Sequence, residues 1–300
     1  MHSLFASRFK GLALAAAATY TRWNCSVAKH SAREDGKDTH PHDKPLQKAL
    51  VLVAMDQEAR PFVERHGLQE IEPPWSSNLP MVGYHGVVGG MECILVWAGT
   101  DRRYKVNNVA TTASAVSAYA SVVAFSPDIV ISAGTAGGFG AMGAQSQSYV
   151  GDVYLSTKCI FHHRRIPNDM EDAAEFGDYG LGNFRCPPMG RLAQHTGCKL
   201  GVISTSDSLG YTIEDLEVML AEGASVKEME AASIAWVCQQ LLVPFVAVKS
   251  ITDIVDGERS TQEEFWSNLD LASSALQSKL TLLLESMNGK PLRHWRLRSE

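Results

Sequence analysis

Three short segments of this chain place acids where an acid can do chemistry. Val-Lys-Glu-Met-Glu-Ala-Ala, residues 226–232, sets Glu228, Met229 and Glu230 at the mouth of an apolar stretch with helical spacing. Asp253 follows the apolar run Phe245 to Ile251, with Thr252 beside it, and Glu58 follows the run Ala49 to Ala54. Carboxylates ahead of a helix meet exposed N–H groups and the positive end of the helix dipole, so they stay ionised and accept hydrogen bonds. Ribose 2'- and 3'-hydroxyls are suitable donors to them. A carboxyl just beyond a buried strand can protonate a leaving base. Together these are the groups that nucleoside cleavage needs. Each acid also has a plainer reading: Glu228 and Glu230 as helix-start stabilisers, Asp253 as an N-cap, Glu58 as a first-turn helix acid.

The elements that must position them follow an α/β pattern from residue 49. Ala49 to Ala54 is a continuous apolar run of strand length, as expected where both faces are buried. Further strands are predicted at Met91 to Trp97, Ile129 to Ala133, Val153 to Ser156, Leu200 to Ser204 and Phe245 to Ile251. Helices are predicted at Glu58 to Arg65 and over Val106 to Phe125, which Pro127 ends. Ala231, Ile234, Ala235, Cys238, Leu241 and Leu242 share one helical face, and Leu269, Ala272, Leu276, Leu280 and Leu283 repeat that signature. Met55 to Glu58, Gly134 to Gly138 and Thr252–Asp253 each follow a predicted strand. Ligands in α/β sheets bind beyond the carboxyl ends of strands, so these three segments can face one cavity. The Gly-rich turn Ser-Ala-Gly-Thr-Ala-Gly-Gly-Phe-Gly (132–140) lets backbone approach a ligand closely. It has neither dinucleotide-site nor P-loop spacing, and taken alone it reads more readily as a structural tight turn than as a binding loop.

Composition narrows the class. A net charge of -6 argues against nucleic acid as the main partner, since phosphate binding needs a basic face. The six cysteines, at 25, 93, 159, 186, 198 and 238, lack the short spacings of a zinc or redox pair and read as reduced thiols. No run approaches ~18 apolar residues, so no membrane span is expected. Up to Arg33 the chain has five basic residues and no acidic one, with abundant Ser and Ala, and a polar stretch Glu34 to Lys44 follows. This is the composition of an organellar transit peptide and linker, with a secretory signal or an unaddressed cytoplasmic extension as competing readings. The expected organisation is an extension over 1–47, one α/β domain over 48–290 and a frayed basic tail over 291–300.

Taken in order, seven segments resemble the nucleoside phosphorylase superfamily, and within it the plant-type 5'-methylthioadenosine nucleosidases. They are Ala-Met-Asp-Gln-Glu-Ala (54–59), Ser-Ala-Gly-Thr-Ala-Gly-Gly-Phe (132–139), Gly-Asp-Val (151–153) and Phe-His-His-Arg-Arg-Ile-Pro (161–167), then Ser-Thr-Ser-Asp-Ser-Leu (204–209), Lys-Glu-Met-Glu-Ala-Ala (227–232) and Lys-Ser-Ile-Thr-Asp-Ile-Val-Asp-Gly (249–257). The resemblance implies a single-domain three-layer α/β/α fold with a central mixed, partly barrel-like sheet. It also implies hydrolysis of 5'-methylthioadenosine, with S-adenosylhomocysteine as a second candidate substrate, to adenine and a thioribose in methionine salvage. No cofactor or metal would be required, and a homodimer would be the working form.

In that scheme Asp253, beside Thr252, protonates N7 of adenine, and Glu58 deprotonates the attacking water. Glu230 and the Met229 backbone hold the ribose hydroxyls and Glu228 shapes that corner. Thr135, Ala136 and Gly137 line the ribose and base side, Leu209 packs on the purine, and Met55 borders the alkylthio group. Hydrogen-bond chemistry supports adenine separately: a carboxyl accepts from the exocyclic amine while donating to N7, whereas Asn would suit the O6 of hypoxanthine or guanine. Ser206 stands where the family commonly has Gly, and Gly210 and Tyr211 fall at pocket borders, which leaves substrate breadth open. Two rival readings stand beside this one. Arg102 and Arg103 keep a phosphorolytic mechanism in view, and a nucleoside-storage protein of the same fold would bind without turnover; Glu58 and Asp253 together speak against the latter.

Overall fold

Lys48–Val53 (β1) is buried on both faces, and its alternation sets the layers: Ala49, Val51 and Val53 enter one apolar core, Leu50 and Leu52 another. The computed structural model describes residues 44–140, 147–165 and 179–297. Most of the expected N-terminal extension therefore lies outside the described residues, as do Cys25, positions 166–167 and the last three residues.

After β1 come Asp56–His66 (α1), Gln69–Ile71 (β2), Val82–Val88 (β3), Met91–Trp97 (β4), Ala110–Phe125 (α2) and Ile129–Gly138 (β5). Val153–Phe161 (β6), Phe184–Arg185 (β7), Gly190–Thr196 (α3), Lys199–Thr205 (β8), Ile213–Ala221 (α4) and Ala224–Glu228 (β9) follow. Ala231–Gln240 (α5), Phe245–Ile254 (β10), Thr261–Met287 (α6) and a short 3₁₀ turn at Leu292–Trp295 complete the described chain.

All the strands among the described residues belong to one mixed sheet. β1 runs parallel to β4 and β5, and β5 runs parallel to β10. β10 pairs antiparallel with β6, β6 parallel with β8, β8 parallel with β9, and β9 returns antiparallel to β5. Those five strands close a small barrel, and β1, β4, β3 and β2 extend from its wall as an open sheet. Helices α1, α3 and α6 cover one face, and α2 and α5 the other. The expected three-layer α/β/α architecture with a partly barrel-like mixed sheet is therefore the fold.

Three expectations need correction. Residues 291–297 are not frayed: Pro291 bridges Pro45, and Leu292 and Trp295 are buried against the α6 side. Strands β2, β3, β7 and β9 are absent from the sequence-based reading. The Gly-rich segment is not a turn, because β5 runs straight through it to Gly138. None of Gly134, Gly137 and Gly138 adopts left-handed backbone; what each needs is room. A Cβ on Gly134 would lie 3.1 Å from a Glu58 oxygen and 3.3 Å from the Lys249 ammonium, and one on Gly137 would lie 2.9 Å from an Asp253 oxygen.

Candidate active site

The carboxyl ends of β1, β5, β9 and β10 meet at one corner of the barrel, and the expected site residues gather there. Glu58 is in the first turn of α1, where its Oε2 accepts the Met55 N–H at 3.2 Å. Its Oε1 accepts both the N–H and the hydroxyl of Thr135, at 2.7 and 2.8 Å. The side chain is buried, and that burial raises its pKa against the pull of Lys249, Thr135 and Met55. A carboxyl held in this way is both oriented and more basic than usual, as a general base must be.

Asp253 reaches the same wall by a different device. It lies inside β10, not beyond it, so the N-cap reading does not hold. The β5–β10 register shifts between Ile251 and Asp253, pairing Asp253 with Gly137. The extra residue, Thr252, is a bulge that turns Asp253 to the opposite face from the one regular alternation would have given it. Thr135, which holds Glu58, and Gly137, which faces Asp253, are two residues apart on β5, about 7 Å along the strand. Asp253 Oδ1 lies 2.6 Å from the Thr252 hydroxyl, and its Oδ2 is buried without a protein partner. Burial raises the Asp253 pKa, while the Thr252 hydroxyl and Lys227 oppose it. A buried acid with a raised pKa and one free oxygen suits proton donation.

The two glutamates near α5 divide the work. Glu228 ends β9, and its carboxylate accepts the Thr205 hydroxyl, the Glu230 N–H at 2.9 Å and the Ala231 N–H at 2.9 Å. It also pairs with Lys249 Nζ at 2.9 Å. Burial alone would raise its pKa, yet Lys249, Thr205 and the helix-start N–H groups hold it below the ordinary range. Its oxygens are engaged by these protein donors, which fix the corner. Glu230, the N-cap position of α5, accepts the Ala110 N–H on Oε1 at 3.0 Å and keeps Oε2 at 3.8 Å from Lys249 Nζ. Burial, with Glu228 and Glu58 nearby and Lys249 opposing, pushes its pKa up to about 7.

Lys249 is the residue that sequence reading missed. It lies fully buried in β10, a run treated as wholly apolar, with Glu228, Glu230 and Glu58 around it. Burial lowers an ammonium's pKa, but here the carboxylates more than compensate and keep it above the usual lysine range. A lone cation inside a strand otherwise reading Val-Ala-Val-x-Ser-Ile was the available signal, since lysine is almost never fully buried unless paired. Lys227 is a second such residue: its Nζ donates to the carbonyls of Ser208 and Leu209 at 3.1 and 2.6 Å.

Some of the remaining predicted residues lie beside this core and others do not. Ala136, Gly137 and Thr252 are buried in the strands beside Asp253, and Met55 and Met229 are half-buried next to Glu58 and Glu230. Leu209 is 57% exposed, on a segment whose Tyr211 hydroxyl donates to the Val255 carbonyl at 3.2 Å. Arg102 and Arg103 are exposed on a turn. Arg102 donates to the Ser77 carbonyl at 3.3 Å, and Arg103 lies over the Tyr104 ring.

The sequence model of the phosphorylase superfamily matches residues 48–285. A 5'-methylthioadenosine nucleosidase of Arabidopsis thaliana is 36% identical over 250 residues, covering 83% of this chain and 90% of the relative. A second Arabidopsis thaliana relative, a 5'-methylthioadenosine/S-adenosylhomocysteine nucleosidase, is also 36% identical over 250 residues, covering 83% of this chain and 95% of its own length. The solved apo structure of Arabidopsis thaliana 5'-methylthioadenosine nucleosidase superimposes with a TM-score of 0.78 at 36% identity, over 83% of this chain and 99% of that one.

Proposed function

The chain belongs to the phosphorylase superfamily, and from that premise we propose that it hydrolyses the N-glycosidic bond of 5'-methylthioadenosine to adenine and methylthioribose. The observation that carries this reading is the pair of buried acids set at neighbouring positions of β5, one with a free oxygen. Asp253 donates its proton to N7 of adenine as the C1'–N9 bond breaks, so the bonding electrons leave on a neutral base. Glu58 takes a proton from water as the water oxygen bonds to C1'. Glu230 accepts the ribose hydroxyls, with the Met229 backbone beside it. The carboxylates stabilise the oxocarbenium-like sugar as positive charge develops there. Leu209 covers the purine and Met55 borders the alkylthio group.

Electrostatics favours water over phosphate as the nucleophile. Lys249, the cation nearest Glu58, is surrounded by Glu58, Glu228 and Glu230, so that corner carries no net positive charge. A phosphate dianion would meet repulsion there, and Arg102 and Arg103 have other contacts.

The working form we propose is a homodimer. Helix α2 starts at the sugar acid, through Ala110, and then presents Val116, Tyr119 and Val123 outward beside Trp236 of α5. These side chains border a groove of about 670 Å³ whose floor includes Trp75. Apolar surface of this kind is what association between copies buries.

Release of the free base, adenine from methylthioadenosine and S-adenosylhomocysteine and hypoxanthine from inosine, measured with and without phosphate, tests the reading. Phosphate-independent release from methylthioadenosine is expected, with inosine inert. Strict phosphate dependence would make the protein a phosphorylase, and tight binding without adenine formation would make it a binding protein. The names of the two Arabidopsis relatives differ on S-adenosylhomocysteine, so that arm sets the substrate breadth.

A further inference from the structure

Past the buried Ser206, residues 207–211 lie beside Lys227, whose charge is felt by Asp253, yet packing does little to place them. Leu209 is 57% and Tyr211 40% exposed, and a Cβ on Gly210 would meet nothing within 4 Å. Their position rests on polar anchors. On the inner side Lys227 holds the Ser208 and Leu209 carbonyls, and Ser206 Oγ accepts the Ser208 N–H at 3.0 Å.

On the outer side the anchor is Asp207. Its Oδ1 accepts the Thr111 N–H at 2.8 Å, its Oδ2 accepts the Thr111 hydroxyl at 2.9 Å, and His163 Nε2 lies 3.8 Å from Oδ2. This end of α2 has no side-chain cap of its own, because its N-cap residue is Val109. First-turn N–H groups have no partner within their helix and must find one elsewhere. Here two consecutive ones go to carboxylates from separate elements: Ala110 to Glu230, and Thr111 to Asp207. Ala110 adopts φ 74, a strained conformation for a residue with a Cβ, and one that persists only where its surroundings impose it. Glu230 and residues 207–211 are thus set in register through adjacent peptide groups.

We propose that Asp207 is a positioning residue for the reaction: by docking 206–211 on the N-terminus of α2, it fixes the base side of the site relative to Glu230. The inference rests on the nucleosidase reading above. Asp207 acts through Leu209 and its neighbours and touches no reacting atom.

Asp207→Ala releases the segment. If the docked form is then populated about a tenth of the time, KM for methylthioadenosine rises about tenfold while kcat stays within about twofold. Asp207→Asn recovers most of the loss, because its amide oxygen still accepts the Thr111 N–H and its amino group can donate to the hydroxyl. Thr111→Val removes only the hydroxyl half of the contact and gives a smaller rise; it carries the test should Asp207→Ala fold poorly. Amide hydrogen exchange over 206–211 in the free proteins gives a readout independent of turnover, faster in Asp207→Ala and restored in Asp207→Asn. Unchanged KM and exchange overturn the proposal, as does a kcat loss at constant KM or an Asn variant no better than Ala. A wild type that releases no adenine defeats the nucleosidase reading instead, and the exchange data still decide the docking.

Discussion

Single side chains at this site are distinguished by how their oxygens are used. Asp253 keeps one buried oxygen free, Glu58 has protein donors on both of its oxygens, and Glu228 is saturated. The acid and the base should therefore fail differently. Asp253→Asn cannot protonate N7 and should lose about 10²–10⁴-fold in kcat on adenine nucleosides. Glu58→Gln should hydrolyse comparably slowly yet still bind substrate, as a fluorescence or calorimetric titration would reveal. Near-normal turnover by either variant removes its assigned role. Glu230 adds a pH dependence. With its pKa pushed up to about 7, the ribose-accepting role proposed for it needs the carboxylate present above that value, and it loses that capacity as pH falls through it. KM should therefore rise on acidification from pH 8 to 6, and Glu230→Gln should abolish that limb. The stability sign is opposite. A carboxyl whose folded pKa exceeds its unfolded value stabilises the fold when protonated, below about 4.5, and loses that contribution as pH rises through about 7. Wild type should consequently lose more thermal stability than Glu230→Gln between pH 5 and 8, and parallel melting curves would refute the shift.

At the scale of elements, three of the strands that carry the chemistry, β1, β5 and β10, were legible in the sequence, and β9 was not. Strand β4 was legible from end to end because Met91 to Trp97 is nearly all apolar. β3 was not, since Gly83 and Gly86 interrupt it. Both glycines are there for close approach: a Cβ would lie 3.2 Å from Trp75 at the first and 2.5 Å from Leu68 at the second. β9, Ala-Ser-Val-Lys-Glu, is buried at every residue yet gives no strand signal in the sequence, because its Lys227 and Glu228 are stabilised by partners distant in sequence. The bulge at Thr252 leaves no local signature either, and without it Asp253 would point away from Gly137. Site membership could be read from residue types at strand ends, whereas the orientation of each side chain depended on pairings that only the folded sheet supplies. Gly137 concentrates that dependence. Gly137→Ala would put a Cβ 2.8 Å from Val255 and 2.9 Å from the free Asp253 oxygen, closer than such contacts allow. One of the two must move, at a cost of about 1–3 kcal/mol for overpacking, and a displacement near 1 Å at the acid can cost about 10²-fold in rate. A measured kcat close to wild type would mean that Asp253 does not need its present position.

For the whole molecule, the question is why one face of the α2–α5 layer is left apolar. The opposite layer sends one continuous stripe inward, with Leu276, Leu280, Leu283 and Leu284 of α6 in the core, and the exposed apolar side chains Trp266 and Leu271 lie nearer that helix's start. Helices α2 and α5 each have an inward face, with Ala118 and Val122 on the first and Ile234 and Val237 on the second. They nevertheless keep Val116, Tyr119, Val123 and Trp236 between 44% and 59% exposed. Tyr and Trp on one groove are the residue types that dominate interface energetics, and a net charge of -6 is too small to keep two copies apart once such a face is buried. The same helix, α2, carries the N–H groups that hold Glu230 and Asp207, so burying its outer face would also steady the site. Trp236→Glu puts a charge at the middle of this face while leaving the inward residues untouched. Light scattering should find the wild type as a dimer at micromolar concentration and the variant largely monomeric. Loss of a central aromatic worth about 2 kcal/mol weakens association roughly thirtyfold. Melting followed by circular dichroism at high protein concentration should still give one cooperative transition in both. If the wild type is a monomer under the same conditions, the apolar face has some other occupant and the site works without a second copy.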